Sequence, residues 1–220
     1  MKRIVFVCLF TILIFHSYSQ SVVLKVGYTN SSSKYVGDTL TFIGDLIKKR
    51  HVVNYGAQFI FPFSKSIGIS TGLNFIGKGH RYKGVTTFMG VDVISDSKVE
   101  LSYLELPMTA IFKLKFGSFS PFLFGGGFAA TALNGTLTDR LGVTSIPERD
   151  ILFGNDEAND DMKKIDYGLI GGAGVEFKKV RIEFSYSHGL RDLASMQNTG
   201  FDFKTRAYNI SLGYRFELSN

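Results

Sequence analysis

Six charged residues lie on the less apolar side of alternating segments, where they are best placed to do chemistry. They are Glu105, Lys113, Glu176, Arg181, Glu183 and Arg215. Charges of both signs on a narrow face indicate either a pairing network that fills an interior or a path for ions. A two-residue turn at Lys178 and Lys179 would set Glu176 across from Arg181, a pair worth roughly 0.2–1 kcal/mol on an ordinary sheet. The mixed signs favour the pairing network.

The other candidates for chemistry are weaker. His51, His80 and His188 fall at or beyond the predicted strand ends and lack metal-ligand spacing. The acidic run at 155–161 lacks the glycine and distal glutamate of an EF-hand loop, so a solvated run is favoured over a cation site. The glycines at 125–127 do not lead into a helix, which excludes a phosphate loop and favours relief of interior crowding. We therefore predict no catalytic residue, cofactor or metal site, and no enzyme.

The element that positions these charges is most evident at 205–216. Arg206, Tyr208, Ile210, Leu212, Tyr214 and Phe216 alternate with Thr205, Ala207, Asn209, Ser211, Gly213 and Arg215. A strict period of two over a dozen residues predicts a β-strand with two unlike faces. A strand that crosses an outer membrane needs this arrangement, with apolar residues toward lipid and small or polar residues toward the interior.

The same alternation recurs along the chain and predicts eight strands. They lie at 22–28, 52–63, 67–78, within 100–116, and at 119–130, 165–177, 180–187 and 205–216. The phase breaks before Leu104, where Leu101 and Tyr103 are apolar on the wrong side, so we predict a bulge or a change of environment there. In 119–130 the same rule places Phe122, Phe124 and Phe128 toward lipid.

The connections alternate between long and short. Long loops are expected at 31–50, 79–97, 134–164 and 189–204, and short turns at 64–65, 117–118 and 178–179. Outer-membrane barrels have long outer loops, short periplasmic turns and usually an even strand number. The sequence therefore predicts an all-β fold, an eight-stranded antiparallel up-and-down transmembrane β-barrel with long outer loops and short periplasmic turns.

Aromatic residues are expected at both rims of this barrel. Threading the strands up and down places one set at the outer rim, Tyr28, Tyr55, Tyr167, Tyr186 and Tyr208. A second set falls at the inner rim, Phe61, Phe63, Phe116, Phe177, Tyr214 and Phe216. Two such girdles are expected where a barrel meets the two membrane–water interfaces.

Residues 1–19 are predicted to be a signal peptide, and 20–220 the barrel domain. Lys2 and Arg3 precede an apolar run at 4–15, and Ser17 and Ser19 form a small-x-small cleavage site. The remaining chain has 23 basic against 19 acidic residues, a net charge of +4, and no cysteine. Such a mild excess in an exported chain argues against a nucleic-acid partner.

A soluble sandwich or lipocalin-like barrel with its apolar face inward is the main structural alternative. The interior of an eight-stranded barrel is only just filled by side chains, and four to six large residues per strand would overfill it. This argument weighs more against an inverted barrel than against a sandwich, which stays open as an alternative.

Several segments resemble the PorT-like outer-membrane β-barrel family of the Bacteroidetes. They are YLELP at 103–107, PFLFGGG at 121–127, DYG at 166–168 with GAGVEF at 172–177, YSHGL at 186–190 and LGYRF at 212–216. The resemblance covers the strands from about Asn54 onward and implies an outer-membrane barrel made from an exported precursor. One branch of the family supports protein secretion. Phe216 matches the terminal aromatic that barrel-assembly machinery recognises, although four residues follow it.

The expected role is non-catalytic and structural or interactive in the cell outer membrane. The partners expected are outer-membrane lipid and lipopolysaccharide, the assembly machinery during biogenesis, and a protein partner at the outer loops, chiefly 134–164. A small porin or transporter, or a component of a secretion system, is the alternative.

Overall fold

The computed structural model describes residues 20–36, 47–88, 91–141, 144–145, 147–154, 156, 159–194 and 202–218. The predicted signal peptide lies outside these residues. The strands are β1 Ser21–Val36, β2 Ile47–Pro62, β3 Ile67–Phe88, β4 Val91–Lys113, β5 Phe119–Leu141, β6 Thr144–Ser145, β7 Arg149–Asp150, β8 Ile165–Phe177, β9 Val180–Gly189 and β10 Asp202–Glu217. Within the described residues, no helix is long and apolar enough to cross a membrane.

The eight long strands form a closed antiparallel ring. Their order is β4, β3, β2, β1, β10, β9, β8 and β5, and β5 pairs back to β4. The first and last strands are fully paired with each other, from Ser21 opposite Glu217 to Val36 opposite Asp202. Each of the eight long strands described pairs with two neighbouring strands, so the ring has no open edge strand, which hydrocarbon would not tolerate. The predicted eight-stranded antiparallel barrel is confirmed.

Alternation places the apolar side chains outside and the polar ones inside. In β9, Val180, Ile182 and Phe184 are exposed on the outer surface, whereas Arg181 and Glu183 are buried. Short turns join the strands at one end, which we call the turn end, at 63–66, 114–118 and 178–179. The opposite end carries the other connections and is called the loop end.

The strands continue beyond the predicted boundaries at the loop end. The predicted loop at 79–97 is wrong, because β3 and β4 remain paired as far as Phe88 opposite Val91. Likewise, β5 runs to Leu141, so the predicted loop at 134–164 begins eight residues too early. Beyond the apolar band both faces of a strand meet water, and the hydrophobic alternation disappears while the backbone ladder persists.

The bulge predicted before Leu104 belongs to the partner strand. The β4–β5 register shifts between Ser102 and Tyr103, which pair with Asn134 and Ala132, leaving Leu133 as the extra residue of β5. Leu101 and Tyr103 therefore keep the phase of Glu105 and point into the barrel, where both are fully buried.

The side of β5 predicted to face lipid in fact faces the interior. Phe122, Phe124 and Phe128 are buried inside the barrel, and Leu123 and Gly125 are exposed outside. Glycines of the neighbouring strand β8 provide the space. A Cβ atom at Gly172 would lie 2.6 Å from Cζ of Phe124, and one at Gly168 would lie 2.8 Å from Cε1 of Phe128. The large rings therefore fit because the adjacent strand has no side chains at these positions.

Candidate functional site

The buried carboxylate of Glu176, near the turn end, lies close to three positively charged side chains. Lys113 Nζ donates to both of its oxygens at 3.0 and 3.1 Å. Arg215 Nη1 lies 2.9 Å from Oε1, and Arg181 Nη1 lies 4.0 Å from Oε2. Glu176 and Arg181 are direct partners across the turn formed by Lys178 and Lys179, and both point inward. One carboxylate is thus shared by three cations from β4, β9 and β10.

A second carboxylate, Glu183, continues the cluster toward the loop end. Arg181 Nε and Nη2 both donate to its Oε2, at 3.2 and 3.0 Å. Lys25 Nζ of β1 donates to Oε1 at 3.4 Å. The guanidinium of Arg181 also lies 3.7 Å from the ring centroid of Phe122, a cation–π contact. The two carboxylates are therefore surrounded by four cations, which we call the lower cluster: Glu176, Glu183, Lys25, Lys113, Arg181 and Arg215.

The upper cluster is a buried triad of Lys78, Glu105 and Asp166. Lys78 Nζ lies 3.1 Å from Asp166 Oδ2 and 3.4 Å from Glu105 Oε2, and all three side chains are almost fully buried. Thr205 Oγ1 donates to Asp166 Oδ2 at 2.8 Å. Lys78 Nζ lies 4.3 Å above the centroid of Phe128. This cluster has one cation for two carboxylates, the opposite charge balance to the lower cluster.

Hydroxyl and amide side chains connect the walls between the two clusters. Asn54 Nδ2 donates to Thr29 Oγ1, which donates to Asn209 Oδ1, both at 2.6 Å. Ser70 Oγ bonds Gln58 Nε2 and Thr109 Oγ1, each at 2.8 Å. A cavity of about 20 Å³ remains here, lined in part by Asn74, Glu105 and Glu183. Its volume is close to that of a single water site.

Apolar side chains pack together at the loop end, and we call this group of residues the lid. Leu101, Ile151, Met162, Leu193 and Phe203 are buried in the same hydrophobic cluster. The backbone fixes the segments that carry them: Leu193 N donates to Phe203 O at 2.9 Å, Lys163 N to Leu193 O at 3.0 Å, and Ile151 N to Gly135 O at 2.8 Å. Residues predicted to be loop thus fold over the opening of the barrel and pack there.

The predicted interior charges fall into two groups. Lys113, Glu176, Arg181, Glu183 and Arg215 meet in the lower cluster, whereas Glu105 lies apart in the upper one. Lys25, Lys78 and Asp166 were not among the predicted site residues. All three lie on the polar side of alternating segments, so the period of two was sufficient to predict that they point into the barrel.

The predicted girdle residues lie on the outer surface. Tyr28, Tyr55, Phe63, Tyr167, Phe177, Tyr208, Tyr214 and Phe216 are exposed, as is Phe116 in the turn after β4, and Phe61 and Tyr186 are half-buried. Several stack on neighbours across strands. The ring centroids of Tyr186 and Tyr208 are 4.8 Å apart, and those of Tyr55 and Phe75 are 5.1 Å apart.

The histidines lie within strands, contrary to the prediction that they lie at or beyond strand ends. His51 stacks on Tyr28 at 5.5 Å, and His188 stacks on Tyr186 at 6.4 Å. His80 is buried in β3 with its ring 5.7 Å from that of Phe203. The paired ladder extends past the apolar band, so these positions belong to the extensions of predicted strands, which the alternation did not reveal.

The described part of the acidic run is held by protein groups. Arg149 donates to both carboxylate oxygens of Asp161, and the backbone N–H of Leu152 donates to Oδ2 at 2.9 Å. The hydrogen bonds from Arg149 lower the pKa of Asp161, and the pKa of Arg149 is raised in turn. Over the described residues, no group of three or more His, Cys, Asp or Glu is placed to hold a metal ion.

A closed eight-stranded barrel with an apolar exterior and a charged interior is the architecture of an outer-membrane protein. The family profile described as outer membrane protein beta-barrel domain matches residues 18–195. The chain belongs to this family, and it is a protein of the outer membrane. The turn end is then periplasmic and the loop end faces outward. A search of curated proteins finds no match.

Solved outer-membrane barrels are similar in architecture. The attachment invasion locus protein Ail of Yersinia pestis is 16% identical, with a TM-score of 0.41, over 90% of this chain and 100% of that chain. OprG from Pseudomonas aeruginosa is 16% identical, with a TM-score of 0.42, over 92% and 98%. The protease OmpT of Escherichia coli is 8% identical, with a TM-score of 0.46, over 92% and 98%.

Proposed function

We propose that this protein is a non-catalytic outer-membrane barrel that presents its outward-facing end to lipopolysaccharide. The proposal rests on the burial and packing of the apolar residues in the lid. Leu193 is fully buried and Phe203 nearly so, and the segments around them are hydrogen-bonded to each other. Among the described residues, apolar side chains from several strands and connections pack together at the loop end, which favours a contact role over conduction.

Basic side chains beside the outer girdle support lipopolysaccharide as the surface that is met. Lys49 Nζ lies 5.6 Å from the ring centroid of Tyr208, and Lys48 is exposed next to it. Arg206 is half-buried on β10 opposite His188 of β9. Cations at the level of the outer aromatic girdle are opposite in charge to the phosphate groups of lipopolysaccharide and lie at the same depth in the membrane.

Conductance tests the proposal against its main alternative, a small porin or transporter. The purified barrel in a planar bilayer should give no stable single-channel steps, because the lid and the paired charges occupy the lumen. Stable steps in the folded, heat-shifted protein would overturn the contact role and establish a transport role.

Nanodiscs with and without lipopolysaccharide test the contact itself. We expect lipopolysaccharide to raise the melting temperature of the wild type. Lys48→Gln/Lys49→Gln/Arg206→Gln should reduce that rise, and the control Lys178→Gln/Lys179→Gln, at the turn end, should keep it. An equal rise in both variants would mean that these outer cations are not the contact.

We also propose that the chain belongs to the PorT-like outer-membrane β-barrel family of the Bacteroidetes. This assignment rests on the strand segments YLELP, PFLFGGG and LGYRF. A role in protein secretion would follow only if the chain also belonged to the one branch of that family that supports secretion. Deleting the gene in a secreting bacterium and measuring exported protein tests it, and unchanged export would separate this chain from the secretion branch.

A further inference from the structure

A cavity of about 260 Å³ opens at the turn end of the barrel. The polar residues that line it include Ser64, Lys65, Ser66, Lys113, Lys115, Arg215 and Glu217. The β2–β3 turn provides Ser64, Lys65 and Ser66, and the end of β4 provides Lys113 and Lys115. We call this cavity the periplasmic vestibule. Its volume lies just below the usual range of small-molecule sites.

Positive charge in the vestibule exceeds what the nearby acids balance. Lys113 and Arg215 share Glu176 with Arg181, and Arg215 Nη2 also pairs with Glu217 at 2.9 Å. Lys65 and Lys115 are exposed, and neither forms an ion pair within the described residues. Four cations therefore line this cavity. Glu217 is the carboxylate in its lining, and Glu176 contacts two of the four cations, Lys113 and Arg215.

The donors in the vestibule suit an oxyanion. Arg215 Nε is buried and has no hydrogen-bond partner among the described residues, although Nη1 and Nη2 are both engaged. The side chains that line this one cavity carry a guanidinium, three ammonium groups and the hydroxyls of Ser64 and Ser66. Tetrahedral oxyanions are bound by such sets of charge-assisted donors.

The depth of the vestibule in the membrane indicates which oxyanions are available to bind there. Phe63, Phe116 and Phe216 are exposed at the same end and belong to the inner girdle. Such aromatic residues lie at the level of lipid headgroups. The vestibule therefore opens where phosphodiester headgroups of the inner leaflet and dissolved phosphate are both available.

We propose that the periplasmic vestibule binds a phosphoryl anion through Lys65, Lys115 and Arg215. Glu217 competes for Arg215, so its charge weakens the site. The two sources of the anion, a phospholipid headgroup or free phosphate, share this chemistry and differ only in what the group is attached to.

The test uses the full folded barrel in a neutral glycoside detergent. Inorganic phosphate is titrated at constant ionic strength against chloride, and backbone amide shifts near Lys65 and Arg215 are followed by NMR. We expect saturable shifts confined to the vestibule. Lys65→Gln/Lys115→Gln should weaken binding about tenfold, the loss expected for a charge-assisted contact. Lys179→Gln, at the same end but outside the lining, should bind as the wild type does.

Glu217→Gln gives a test of opposite sign. Removing this carboxylate frees Arg215 and should tighten phosphate binding severalfold, whereas Glu148→Gln at the loop end should change nothing. Migration with and without boiling shows that each variant is folded. Shifts that do not saturate, shifts spread over the whole surface, or equal loss in Lys65→Gln/Lys115→Gln and Lys179→Gln would overturn the proposal.

Nanodiscs that contain phosphatidylglycerol distinguish the two sources. If the headgroup is the ligand, the vestibule amides are shifted before any phosphate is added, and further phosphate has no effect. If the free anion is the ligand, these amides stay at their detergent positions and still respond to phosphate. Either result supports a phosphoryl site, and the absence of both responses removes it.

Discussion

Glu176 and Arg181 are directly paired across the β8–β9 hairpin, yet each makes its shorter contacts with other residues. Arg181 Nη1 lies 4.0 Å from Glu176 Oε2, whereas Arg215 lies 2.9 Å from Glu176 and Arg181 lies 3.0 Å from Glu183. The hairpin register brings the two together, and the closed ring then adds partners from β1, β4 and β10. The stability of the lower cluster is therefore a property of the closed barrel rather than of one hairpin.

We expect Glu176→Gln to destabilise the barrel by about 3 kcal/mol, the scale for removing one partner of a buried ion pair. The amide would leave Lys113 and Arg215 without their shared carboxylate. Urea unfolding in lipid vesicles measures the change. The matched control is Glu217→Gln, because Glu217 also contacts Arg215 but is more than half exposed, and it should cost less than about 1 kcal/mol. Equal effects would show that burial of the carboxylate does not matter.

The period-two pattern was sufficient to predict the ring and five of the six charged residues of the lower cluster, all except Lys25. It was sufficient because membrane strands must separate apolar and polar side chains by face, and a one-residue slip would exchange the faces. Residues such as Arg181 and Glu183 follow this rule strictly. The hairpin register at Lys178 and Lys179 followed from turn length alone.

The same pattern did not predict features that depend on contacts between strands far apart in the sequence. Phe124 points inward because Gly172 on the neighbouring strand leaves room for its ring, a relationship between strands far apart in sequence. Lys78 and Asp166 meet only when β3 and β8 are brought together across the lumen. The lid joins residues as distant as Leu101 and Leu193. None of these contacts leaves a periodic signal within one segment.

A glycine pair tests the accommodation of aromatic rings in the lumen. A Cβ atom at Gly172 would approach Phe124 Cζ at 2.6 Å and also meet the Phe184 carbonyl, so Gly172→Ala should cost roughly 1–3 kcal/mol by overpacking. At Gly125 on the outer surface, the nearest heavy atom would lie 4.0 Å away. Gly125→Ala should be neutral or slightly stabilising. Unfolding of both variants in the same vesicles measures the difference, and equal losses would contradict the assigned face of β5.

The lid offers a test with two leucines. Leu193 is fully buried, and Leu193→Ala should weaken the lid by roughly 2–5 kcal/mol. Amide hydrogen exchange at Lys163 and Phe203 measures this, because the first donates to Leu193 O and the second lies opposite Leu193. The barrel itself should keep its heat-shifted migration.

The control for the lid is Leu152→Ala, since Leu152 is 57% exposed in the same region. It should leave exchange at Lys163 unchanged. If Leu193→Ala also left exchange unchanged, the lid would not depend on this packing, and the argument for a closed lumen would lose its main support.

Acid should loosen the loop that carries Arg149 and Asp161, an ion pair outside the membrane. Hydrogen bonds from Arg149 lower the pKa of Asp161, so the folded loop favours the ionised carboxylate. This stabilisation is complete above the ordinary aspartate value of about 3.9 and is lost as the pH falls through the lower folded value. Both groups are partly exposed, which limits the effect to less than about 1 kcal/mol.

Amide exchange of residues 148–154 and 159–164 should therefore quicken as the pH falls below about 4, beyond the intrinsic dependence of exchange on pH. Asp161→Asn should exchange faster already at pH 6 and show no further acid step, since it cannot ionise. Asp150→Asn, exposed in β7, should behave as the wild type does. An acid step that persists in Asp161→Asn would assign the titration to another carboxylate and remove Asp161 as the group that fastens this loop to the lid.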